Sequence, residues 1–146
     1  MSAKVEYRVV DQDRNVKVLK RDFLWQDETR MNAADYDANR VVEIYGTDES
    51  VDRHNTVIRV DGWDFTDYRK NPTFLWSHNM DPAVPTMPLG RVIAVQREEY
   101  QRAAETGAEG KQGKRLLFRV EFPKAGTYPF ADLTLDMYKL LVAIRI

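Results

Sequence analysis

Leu116-Leu117-Phe118-Arg119-Val120-Glu121-Phe122 carries the clearest period in the chain, with Leu116, Phe118, Val120 and Phe122 alternating with Leu117, Arg119 and Glu121. Successive side chains on a strand point to opposite faces, so the run predicts a β-strand with one buried and one mainly polar face. Pro123 and Gly126 break it. From Tyr128 the period lengthens: Phe130, Leu133, Met137, Leu140 and Leu141 recur at helical spacing, with Thr127 as N-cap and Pro129 in the first turn. Residues 142–146 read as a strand that has only started.

Upstream of that strand, residues 98–114 are polar and contain Gly107, Gly110 and Gly113, which predicts a long exposed loop. Before it, Leu89-Gly90-Arg91-Val92-Ile93-Ala94-Val95 reads as a strand, preceded by a loop stiffened by Pro82, Pro85 and Pro88. Residues 73–78 alternate in the strand period, which puts Phe74, Trp76 and His78 on one face and Thr73, Leu75 and Ser77 on the other. Residues 63–70 predict a short helix that ends at Asn71-Pro72, because proline disfavours helix in the residue before it. Val57, Ile58 and Val60 resume β-branched character until Asp61-Gly62, and residues 40–46 form a firmer strand. Residues 26–39 are loop or short helix. Near the N-terminus, residues 4–10 and 16–20 flank a polar segment suited to a hairpin turn.

Composition narrows the function classes. With 146 residues, 43% hydrophobic and 11% aromatic, the chain can bury one core of ordinary size. A formal net charge of -1 supplies no long-range positive field, so nucleic acid is not an expected partner. No apolar run approaches the roughly 20 residues needed to cross a bilayer, and residues 1–6 lack the apolar core of a secretory signal, which predicts a soluble intracellular protein without membrane attachment. Zero cysteines remove thiolate nucleophiles, disulfides and thiolate metal sites. There is no internal repeat and no linker that would divide the chain into two domains. The pattern throughout is mainly β with a few helices, an α+β chain.

The succession Asp52-Arg53-His54, Tyr68-Arg69-Lys70-Asn71-Pro72, Leu75-Trp76-Ser77-His78-Asn79, Pro88-Leu89-Gly90-Arg91-Val92 and the late helix from Phe130-Ala131-Asp132 to Leu141 resembles the prohead maturation proteases of tailed bacteriophages. The resemblance begins at Arg40. It divides the chain into residues 1–39, of unknown role, and a protease-like domain over residues 40–146. What it implies is a serine endopeptidase related to the herpesvirus assembly proteases, with a β-barrel surrounded by helices. Such enzymes cleave scaffold and the scaffold-like extension of the major capsid protein inside the immature head, in the cytoplasm of the bacterial host. The resemblance also implies that His78 is the general base. An imidazole with an ordinary pKa near 6.5 can take a serine proton near neutral pH and return it to the leaving amine.

In that family the nucleophilic serine lies on the strand after the late helix, in a motif resembling Ser-x-Gly-Phe, and this sequence reaches Ile146 without it. The serines present are Ser2, Ser50 and Ser77. Ser77 falls on the strand face opposite His78, and Ser50 suits a turn better than a nucleophile. Without an oxygen in reach of the base the triad logic fails, so the expectation is a protease fragment that is inactive alone, incomplete in its barrel and marginally stable. No cofactor or metal is expected, and homodimerisation is left open.

Other readings stand beside this one. His78 can be a histidine bonded to a backbone carbonyl at a strand end, and His54 an exposed loop residue. Asp52 or Asp61 can orient an imidazole, although most of the 23 acidic residues must be surface. Trp63, Phe65, Phe74 and Trp76 can line a groove, with core packing the expected use. A metal-dependent hydrolase would draw on His54 and His78 with Asp52 or Asp81. A non-catalytic module would bind scaffold or capsid subunits through strand edges.

Overall fold

The computed structural model describes residues 16–76, 80–83, 87–102 and 112–144. Its centre is a five-stranded antiparallel sheet, in which β1 (Val16–Gln26), β4 (Gly90–Arg102), β5 (Gln112–Glu121) and β2 (Val41–Asp48) lie side by side in that order, and β3 (Thr73–Phe74) pairs with the start of β4. Two helices complete it, α1 (Glu28–Met31) and α2 (Pro129–Ile144). The chain is therefore mainly β with two helices, but the sheet is not closed. Among the described residues β1 and β2 remain as its two edges, so the expected barrel is not what these strands form.

Both central strands run past their expected limits. Residues 98–102 and 112–114, expected in an exposed loop, continue β4 and β5 in register, with Glu98 opposite Arg115 and Tyr100 opposite Gly113. Glu98 there is paired with Arg115 across the ladder rather than solvated, and Lys114 is paired with Asp61, which removes part of the cost that makes a polar run read as loop. Residues 103–111 lie outside the described set.

The alternation of residues 116–122 holds, but its polar face is not a solvent face. Leu116, Val120 and Phe122 join Val92, Val95, Val42, Trp25 and Leu89 in the core, and Ala131 and Leu135 of α2 pack on them. On the other face Leu117 is also buried, as are Arg115 and Arg119.

Several shorter expectations change. Val57 and Ile58 are exposed and unpaired coil, and Val60 begins a single 3₁₀ turn to Gly62 that buries it in the core. The strand expected over residues 73–78 is a ladder of two residues, β3, and residues 77–79 lie outside the described set. The helix expected before Pro72 is a 3₁₀ turn over Tyr68–Lys70. Residues 142–144 continue α2 instead of starting a strand. Pro129 takes the first helical position, but the first helical bond runs from Asp132 N–H to the Tyr128 carbonyl, so Tyr128 rather than Thr127 holds the cap position. The buried side of α2 is Ala131, Thr134 and Leu135, while Leu133, Met137 and Leu140 of the apolar row are exposed. Residues 16–20 lie in β1, which pairs along β4, and residues 4–10 are outside the described set.

Candidate functional site

The proposed base, His78, and its neighbour Ser77 lie outside the described residues, but the segment that leads to them is well anchored. Thr73 and Phe74 pair with Arg91 and Gly90, and the Phe74 carbonyl accepts a 2.8 Å bond from Leu89 N–H. The Tyr68 hydroxyl donates to the Thr73 carbonyl at 2.7 Å, which ties the 3₁₀ turn to this strand. Trp76 then sets its ring edge-on to Phe130 of α2, with centroids 5.4 Å apart, and its indole N–H donates to Asp81 at 3.3 Å. The chain is thus held just ahead of residues 77–79, by β4 through β3 and by α2 through Trp76, and the Trp76–Asp81 bond links the two sides of that segment.

The other candidates are occupied in ways that serve local structure. Asp52 accepts from His54 N–H at 2.8 Å, from Thr56 N–H at 3.0 Å and from the Thr56 hydroxyl at 2.6 Å, which closes a turn through Asn55 at φ 61°. The Thr56 hydroxyl and N–H hold the Asp52 carboxyl below its ordinary range, with a smaller contribution from His54 N–H. His54 is exposed on this turn. Ser50 donates its hydroxyl and its backbone N–H to Asp48, a turn contact. Asp61 accepts from Lys114 at 2.5 Å and Arg97 at 3.0 Å, so its charge is spent on cations and not on an imidazole. Lys114 first, then Arg97, lowers its pKa. Asp81 also accepts from Ala83 N–H.

Of the four aromatics, Phe65 is in the core and Phe74 packs against it. Trp63 and Trp76 are partly exposed, Trp63 stacking on Phe65 with centroids 6.0 Å apart. Among the described residues no three His, Cys, Asp or Glu side chains converge to hold a metal.

No family model, curated protein or solved structure matches this chain.

The most concentrated chemistry among the described residues was not a sequence candidate. Glu98 is 0% exposed. Arg21 donates to it through Nε and Nη2 at 2.9 and 2.6 Å, Arg115 through Nε and Nη2 at 2.7 and 2.5 Å, and the Tyr45 hydroxyl at 3.0 Å. Burial by itself pushes the Glu98 pKa up, and the bonds from Arg21 and Arg115 more than offset it, so the carboxyl ends below its ordinary value. Arg115 in turn lies between two rings, 3.8 Å from the Tyr45 centroid and 4.8 Å from that of Tyr100. Burial first, then the neighbouring Glu98 charge, raises the Tyr45 phenol to about 12.

One strand pair away, Glu43 and Arg119 face each other across the ladder with a contact of 3.0 Å. Every hydrogen-bonding oxygen of Glu98 is committed, which makes the cluster a structural clamp across β1, β4, β5 and β2 rather than a proton-transfer centre. The one signal for it in the sequence is the alternation Gln96, Glu98, Tyr100, which carries the β4 period past Val95.

Proposed function

We propose that this chain supplies the general-base half of a serine endopeptidase of the phage prohead maturation type. The observation that carries the reading is the run Leu75-Trp76-Ser77-His78-Asn79, leaving a strand clamped on β4 with Trp76 braced against α2. His78 is the base. The nucleophilic serine comes from outside these 146 residues, since Ser50 is bound to Asp48 and no serine follows α2. The substrates are the scaffold and the extension of the major capsid protein, cut inside the immature head in the host cytoplasm. The antiparallel sheet with a helix packed across it after the base segment is consistent with this order of elements.

The test combines the chain with a polypeptide carrying the Ser-x-Gly-Phe-type strand and with scaffold as substrate. Cleavage is expected, with loss of at least about a hundredfold in His78→Ala and none in His54→Ala. Absence of cleavage, or cleavage indifferent to His78→Ala, rejects the reading. A second reading has its own observation: β1 and β2 are open edges and α2 shows an exposed apolar row. These suit a non-catalytic module that binds scaffold or capsid subunits, whose association would survive His78→Ala.

A further inference from the structure

We draw no further inference here: the strongest candidate, the open edge strand β1 with Val18, Leu19, Phe23 and Leu24 exposed along it, is an unpartnered surface, and nothing among the described residues shows what covers it.

Discussion

Replacing Glu98 by Gln keeps the shape of the side chain and removes its charge. The loss falls unequally on its two partners. Arg21 is 43% exposed in its side chain and regains water, so that pair contributes about 0–1 kcal/mol. Arg115 is 11% exposed, and it is left with an uncompensated charge between Tyr45 and Tyr100. Removing one partner of a buried pair costs about 3–5 kcal/mol, which Gln reduces by keeping one acceptor, so the expected loss is about 3 kcal/mol. For a chain of 146 residues this lowers Tm by about 6–12 °C.

Urea titration followed by circular dichroism measures it, with the midpoint shifted and the slope unchanged. Glu98→Leu combined with Arg115→Met should recover most of the loss, because neither charge is then stranded. The pH dependence has a definite sign. The Glu98 pKa is lower in the folded chain, so its contribution is complete above the unfolded carboxyl pKa near 4.5 and disappears as pH falls through the folded value. In Glu98→Gln the acid-side slope of stability should be shallower. A loss under about 1 kcal/mol at pH 7 would refute the clamp.

Three further outcomes follow from the same packing. Leu135→Ala removes a fully buried side chain of α2 from the core and should cost about 2–5 kcal/mol by the same urea assay, whereas Leu133→Ala on the exposed row should cost under about 1. Gly90→Ala puts a Cβ 2.4 Å from the Glu121 carbonyl oxygen on the neighbouring strand, a backbone group that cannot move aside alone, and should cost about 1–3 kcal/mol; Gly62→Ala meets nothing within 4 Å and should be close to neutral. Absorbance titration at alkaline pH should find Tyr45 ionising near 12 in the wild type and lower in Glu98→Gln; because its folded pKa is raised, the stability it contributes is intact below pH 10 and lost toward pH 12.

How much of this was legible in the chain depended on whether the signal was local. The strand over residues 116–122, the strand at Val41, the start of α2 after Gly126 and the turn at Asn71-Pro72 rest on period, β-branching and proline geometry, which act within a few residues. Glu98, by contrast, was read as loop because its partners are Arg21 and Arg115, 77 and 17 residues away. The same holds for Val57 and Ile58, whose β-branched character found no neighbouring strand to pair with.

By itself the sequence determined the strand that starts at Val41, the strand over residues 116–121, the start of α2 and the absence of thiol chemistry. Only the tertiary structure decided which face of each element is used: Ala131 and Leu135 of α2 inward and Leu133, Met137 and Leu140 outward, and the charged face of β5 buried instead of wet. Periodicity sorts side chains into faces but carries no information on what each face meets. That choice is made by cross-strand register, which set Glu98 opposite Arg115 and Glu43 opposite Arg119 and so let four charges lie inside a sheet that alternation alone would have turned toward water.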